Sequence, residues 1–268
     1  VIGKGFAVGQ FLPIESPIHH LDPRVKILLS GILIVVLFVV QDWISFFLLS
    51  VFIILMTVAA KIPISYIGKS LKPILFLLVF TLILQIFFTP GEYLWEYSFL
   101  HISREGLARG LFIIVRLCLL ILATALLTLT TSPMELTDGL ESLLGPFKKF
   151  GFPAHELAMM MTIAIRFIPT LMEEADRITK AQQARGADFE TGSLLQRAKN
   201  LIPLLVPLFI NSFKRADDLA VAMESRCYRG GIGRTRLRVL RFQKTDYLFL
   251  AGSLVFITVV IVCSYILW

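Results

Sequence analysis

The stretch YLFLAGSLVFITVVIVCSYILW, residues 247–268, runs to Trp268 without a charged side chain. A helix that crosses the hydrocarbon of a bilayer needs about 20 mainly apolar residues, and this stretch supplies them. Four further runs share its character: Ile27–Gln41, Trp43–Ala60, Pro73–Gly91 and Gly110–Thr131. The first is slightly short, a deficit that a snorkelling Lys26 stem makes up. The fourth is interrupted once, by Arg116. In lipid, backbone polar groups must be satisfied within the segment, so five such runs predict five helices. The composition agrees: 56% of the chain is hydrophobic and 17% charged, against about 25% charged in an ordinary soluble domain. Mean hydropathy is +0.79. A soluble enzyme, a disordered chain and a nucleic-acid reader are excluded as first readings.

Charge placement sets the expected orientation. Lys61, Lys69 and Lys72 lie between the second and third runs with no acidic residue among them. The loop Glu92–Glu105 carries three Glu and one Arg. Basic loops face the cytoplasm, so the N-terminus and the segment after the fourth span are expected inside, and Trp268 outside. From Glu141 to Asp246 there are 17 Lys/Arg and 11 Asp/Glu, a net +6 of the chain's +7. The basic excess therefore falls on one cytoplasmic segment. Cys118, Cys227 and Cys263 suggest no disulfide framework. No cleavable signal pattern opens the sequence.

The fold class expected is an all-α membrane protein with about five transmembrane helices and a cytoplasmic module of about three amphipathic helices. Residues 1–131 form the N-terminal membrane part with spans one to four, 132–244 the cytoplasmic module, and 245–268 the final span. Within the module, Ser132-Pro133-Met134-Glu135 is a capping box with Pro at the first helical position. The helix it starts ends near Phe150-Gly151. A second helix is expected over Pro153–Arg185, with Leu157, Met160, Met161, Ala164, Ile168 and Leu171 on one stripe and a kink at Pro169. A third is expected over Pro203–Arg226. Both stop at glycine, Gly186 in one case and Gly230-Gly231 in the other. The two helices also repeat. Ala175-Asp176 precedes Arg185 as Ala216-Asp217 precedes Arg226, and Ile178 and Ala181 match Leu219 and Ala222, at one offset of 41 residues. Two similar helix ends, each presenting an arginine, imply two similar receiving surfaces on a partner.

Catalytic signals are poor. His19, His20, His101 and His155 form no ligand pair with a carboxylate on one helix, and no Gly-rich phosphate loop is present. Glu173-Glu174-Ala175-Asp176-Arg177 is close to the paired-glutamate motif of intramembrane CAAX-type proteases, but the spacing is one residue short and no histidine follows His155. The plainer reading is a solvated face with i,i+4 pairs Glu173–Arg177 and Asp176–Lys180. Arg116 has two readings: an ionisable group with a function inside the membrane, or a side chain that snorkels to the outer interface. Arg185 and Arg226 also have two. Cations favour helix C-termini whatever their type, whereas a guanidinium fork suits bidentate pairing with a carboxylate.

The opening Ser16-Pro17-Ile18-His19-His20-Leu21-Asp22-Pro23-Arg24-Val25-Lys26 resembles the "S-x-x-H-x-L-D-P-R-x-K" start of the transmembrane T components of energy-coupling factor (ECF) transporters, relatives of ABC transporters. Ala184-Arg185-Gly186 is similar to the first of that family's two Ala-Arg-Gly-type motifs. Ser225-Arg226-Cys227 occupies the second; it departs at both flanks and keeps the arginine, and Tyr228-Arg229-Gly230-Gly231 continues in family style. The resemblance spans essentially the whole chain. It implies a non-catalytic scaffold in the bacterial plasma membrane that binds no cofactor itself, ATP and Mg being used by partner ATPases. Those partners are two cytoplasmic ABC-type ATPase subunits, bound through Ala184, Arg185, Gly186, Ser225, Arg226 and Cys227, and a membrane-embedded S component that captures a vitamin or other micronutrient. Nucleic acid is not a partner. Met159, Met160, Met161 and Met172 form a soft surface suited to the S component, with ordinary helix packing as the alternative. Gly186, Gly192, Gly230 and Gly231 are candidate hinges. The competing readings are a self-sufficient secondary transporter or channel, for which Gln85 and Arg116 are the main polar candidates within the spans, and more remotely the intramembrane protease.

Overall fold

Asp22 opens the first helix. Its carboxylate accepts from the Arg24 amide at 2.9 Å, and Pro23, whose fixed φ suits a first turn, begins α1 (Pro23–Val39). Asp42 repeats the device for α2 (Trp43–Ala59), accepting from the Ser45 amide at 2.7 Å. The computed structural model describes residues 11–90, 93–97, 100–189, 193–230 and 240–267. After α2 come α3 (Ile64–Leu71), a 3-10 turn at Lys72–Ile74 around Pro73, and α4 (Leu75–Phe88). A short antiparallel hairpin, β1 (Tyr93–Tyr97) with β2 (Leu100–Ser103), leads into α5 (Arg104–Thr130). Then follow α6 (Pro133–Leu144), a 3-10 turn over Gly145–Phe150, α7 (Ala154–Ala184), α8 (Leu194–Asn200), α9 (Ile202–Ser225) and α10 (Lys244–Leu267).

The fold is that of an all-α membrane protein, with the hairpin as its one β element among the described residues. Among the described residues, three helices are long and apolar enough to cross a membrane: Ile64–Phe88, Arg104–Thr130 and Lys244–Ile266. The other two apolar helices, α1 and α2, have 17 residues each, about 26 Å at about 1.5 Å per residue, which is the lower limit for a span. Several boundaries differ from the sequence expectation. The third span begins at Ile64 rather than Pro73, so Lys69 and Lys72 belong to its first turns; Pro73 interrupts the helix without ending it. The fourth begins at Arg104 rather than Gly110. Lys26 does not snorkel but is buried. A short helix, α8, was not expected. Gly192, Gly231 and Trp268 lie outside the described residues.

The chain divides into two units. One holds 11–139 and 240–267 of the described residues. Its core is a seam where Leu33, Val36 and Leu37 of α1 and its C-cap Val40 meet Phe46, Leu49 and Ile53 of α2, Leu119 of α5, and Ile257 and Val260 of α10. Outward-facing Phe47, Phe76, Val255 and Tyr265 are exposed, as lipid-facing residues are. α4 packs on α5, and the approach is close at Gly106: a Cβ there would stand 2.5 Å from the Gln85 carbonyl and from Ser103 Oγ. Ser103 Oγ caps α5 at the Gly106 amide and donates to the Thr89 carbonyl at 2.8 Å. Gly106 and Gly110, one turn apart, thus form a small-residue face of the kind that lets membrane helices touch. Arg116 sits inside α5. One guanidinium nitrogen donates to the Val40 carbonyl at 2.8 Å, and its carbon lies 4.8 Å from the Phe112 ring centre. It closes an orphan acceptor just beyond the end of α1, a structural use that neither sequence reading named.

The second unit comprises residues 140–189 and 193–230 of those described. Here α7 and α9 pack together. Glu174 accepts from Asn211 Nδ2 at 2.5 Å and pairs with Arg215 at 3.1 Å, tying one helix to the other. His155 Nδ1 lies 2.9 Å from Glu141, and its Nε2 is 3.5 Å from the Tyr228 hydroxyl.

Candidate coupling site

The two matched helix ends have one backbone geometry. Arg185 is the C-cap of α7, with φ −89° and ψ 7°. Arg226 is the C-cap of α9, with φ −91° and ψ 13°. Beyond Arg185, the Gly186 amide donates to the Gln183 carbonyl at 3.0 Å and the Ala187 amide to the Gln182 carbonyl at 2.9 Å. Beyond Arg226, the Cys227 amide donates to Glu224 at 2.8 Å and the Tyr228 amide to Met223 at 3.1 Å. Both sets are the paired bonds of a Schellman motif, which requires a left-handed residue at the position after the cap. Gly186 takes φ 88° without cost, while Cys227 takes φ 56° with a Cβ in the way. The helix therefore stops at Cys227, three residues before the glycine expected to end it. The 41-residue repeat holds to the level of individual hydrogen bonds.

Arg185 and Arg226 are both exposed, as are Ala184, Gly186, Ser225 and Cys227. The surroundings of the two arginines differ. Arg226 lines a groove of about 670 Å³ together with Arg166, Arg229, Tyr228, Met159 and Phe167. Near Arg185 the chain turns through Asp188, whose carbonyl accepts from Asn200 at 2.6 Å. Met159 thus shares a groove with Arg226, Met160 and Met161 are exposed, and Met172 is half-buried. Glu174, one of the two glutamates of the protease-like sequence, is occupied in the bonds to α9 described above. Arg177 reaches the Glu173 carbonyl rather than its carboxylate.

A second constellation lies where residues 132–243 leave and rejoin the membrane helices. Lys26, 7% exposed, donates through Nζ to the carbonyls of His19 and Thr130, both at 2.9 Å. The Asp22 amide donates to Asp246 Oδ1 at 3.0 Å, and the Gln243 amide donates to Asp246 Oδ2 at 2.8 Å. Arg24 grips the Asp22 carboxylate with two nitrogens, at 3.0 and 2.8 Å, and lies 4.0 Å from the Phe242 ring centre. Ser132 and Glu135 complete the capping box reciprocally, at 3.1 and 3.3 Å, and so start α6. One short motif therefore holds the last carbonyl of α5 and the first turn of α10. Burial alone would raise the Asp22 carboxyl, but the hydrogen bonds and charge of Arg24 hold it below the ordinary carboxylate range. Burial, with the ammonium of Lys26 nearby, keeps His19 below the usual imidazole value.

The family model described as "Cobalt transport protein" (CbiQ) matches residues 15–237. The energy-coupling factor transporter transmembrane protein EcfT of Clostridium kluyveri is 54% identical over 267 residues, 99% of this chain and 98% of that protein. That of Thermosediminibacter oceani is 54% identical over 243 residues, 91% and 92% of the two chains. That of Acidaminococcus fermentans is 50% identical over 261 residues, 97% and 96%. This chain is a member of the ECF transporter T-component family. It is a transmembrane subunit of an energy-coupling transporter.

For this T component, the opening motif read as a family signature proves to be the buried knot at the membrane roots. The motif arginines prove to be twin helix caps. Sequence reasoning missed Arg166 as a neighbour of Arg226. The signal was there: Met159, Thr162, Ile163 and Arg166 share one face of α7, and a lone cation on such a face asks for a purpose. It also missed Asp246, whose position before an apolar run reads as an ordinary N-terminal acid.

Proposed function

We propose that the chain is the non-catalytic energy-coupling scaffold of an ECF importer, inserted with its N-terminus in the cytoplasm of a bacterial cell. The ends of α7 and α9 dock two cytoplasmic ABC-type ATPase subunits through Arg185 and Arg226, with Ala184, Gly186, Ser225 and Cys227 shaping the two caps. The ATPases use ATP and Mg, and this chain binds no cofactor. The exposed apolar faces of the helices, with Met159, Met160, Met161 and Met172, receive a membrane-embedded S component that captures a vitamin or other micronutrient. ATP-driven motion of the ATPases passes through α7 and α9 to that component.

The observation that carries this reading is the pair of matched caps. Each places an exposed arginine at the same backbone angles, at a helix end fixed by the same two hydrogen bonds. Helix-dipole stabilisation needs any cation near the terminus; it does not need the same cation on the same cap twice. The test is co-purification of the whole complex through a tag on this chain. Replacing both Arg185 and Arg226 by Ala is expected to release the ATPases and abolish uptake while leaving the chain in the membrane. Full uptake by that double variant contradicts the assignment.

A further inference from the structure

The two caps share a backbone but not a chemistry. Three arginines converge on the groove at the end of α9: Arg166 from α7, Arg226 at the cap, and Arg229 just beyond it. All three are exposed. Among the described residues none of them has an ion-pair partner. The acid at the edge is Glu156, whose Oε1 lies 4.0 Å from where a Cβ on Gly230 would stand. The same groove has an apolar side made by Phe167, Leu219 and Met223. Three like charges held around one concavity repel one another unless an anion enters it. At the α7 end the position that corresponds to Arg229, 41 residues earlier, is an acid, Asp188.

A guanidinium cluster beside an apolar wall fits one kind of occupant best: a protein segment that carries a carboxylate next to an aromatic or aliphatic side chain. The arginines take the carboxylate as planar forks, and the wall takes the apolar neighbour. We infer that Arg166 and Arg229 act with Arg226 as a three-arginine receptor for an acidic, apolar segment of one ATPase subunit, and that the α9 end is therefore the stronger and more salt-sensitive of the two docking ends. This rests on the reading that the caps dock ATPases. It adds Arg166 and Arg229 to the docking residues and makes the two ends unequal.

The experiment uses the complete complex, captured through this chain and washed with rising NaCl, with the ATPases remaining measured at each step. The variants are Arg166→Gln with Arg229→Gln, which leaves Arg226 in place, and Arg185→Ala with Arg226→Ala. Melting temperature is followed in parallel, and since all the replaced arginines are exposed it is expected to stay at the wild-type value. The glutamine pair is expected to weaken ATPase retention about tenfold and to release it at lower salt than wild type, as loss of charged anchors at an interface centre does. If the glutamine pair retains the ATPases at wild-type salt while the alanine pair releases them, the three-arginine receptor is overturned and the docking reading stands. If the alanine pair also retains them, the docking reading itself falls. If the glutamine pair keeps its ATPases but loses co-purifying anionic phospholipid, the groove serves lipid headgroups and the inference is again overturned.

Discussion

Residues 132–243 have roots, where they join the membrane helices, and tips, the C-caps of α7 and α9, and the two are built on opposite principles. At the roots, Lys26 is buried and both of its bonds go to backbone carbonyls, while the amides of Asp22 and Gln243 both end on Asp246. At the tips, Arg185 and Arg226 stand exposed on caps that the backbone makes alone. A buried polar group cannot be altered without stranding its partners; an exposed cation can be, because water replaces what is lost. The difference separates stability from the proposed coupling: the buried roots hold the fold, and the exposed arginines at the tips are free to meet a partner.

The largest expected effect comes from breaking the roots. Lys26→Met leaves the His19 and Thr130 carbonyls without their donor in a buried site, and is expected to cost about 2–5 kcal/mol, read as a fall in the melting temperature of the purified chain. Next comes Gly186→Val, which puts a β-branched residue at φ 88°. It is expected to destabilise the α7 cap by about 1–2 kcal/mol, seen as faster hydrogen exchange at the backbone amides of positions 186 and 187. The matching change at the other tip has the opposite sign. Cys227→Gly removes a Cβ from φ 56° and is expected to slow exchange at the equivalent amides by about 1 kcal/mol. Equal signs at the two positions would break the equivalence of the caps.

Acid gives a smaller, one-sided effect. The folded-state pKa of Asp22 lies below its unfolded value, so its contribution is full at neutral pH. That contribution declines only as pH falls below about 4 and through the lower folded value. A melting profile that already falls between pH 7 and 5 from this group would contradict the Arg24 grip. The smallest expected effect is on stability when Arg185 and Arg226 are both replaced by Ala, within about 0.5 kcal/mol of wild type, although coupling is lost.

Much of this was legible in sequence because local rules decide it. The capping box Ser132–Glu135 forms as its spacing requires. The bounds of α7 and α9 fall within a residue of those that apolar period and Pro suggest. The offset of 41 residues foretold the twin caps. What escaped needed knowledge of distant neighbours. Lys26 has a stem long enough to snorkel, and the carbonyls of His19 and of Thr130, the second 104 residues away, turn it inward. Gly106 reads as an ordinary helix-weakening residue until the Gln85 carbonyl is seen against it. Cys227 is a poor left-handed residue on propensity, so the glycine beyond it looked the better stop; the paired cap bonds outweigh that preference. Pro73 interrupts a span without ending it because the turn it needs is continued by α4.

Cys227 offers the most direct test of the central claim, that the helix tips are where the ATPases sit. It is exposed at the α9 tip, whereas Cys118 and Cys263 are half-buried within spans and serve as internal references. The rate of maleimide labelling at Cys227 is to be compared between the chain alone and the complete complex. Docking at the tips predicts sharp protection of Cys227 when the ATPases are bound, with the two reference thiols unchanged. Labelling of Cys227 at the same rate in both states would contradict it.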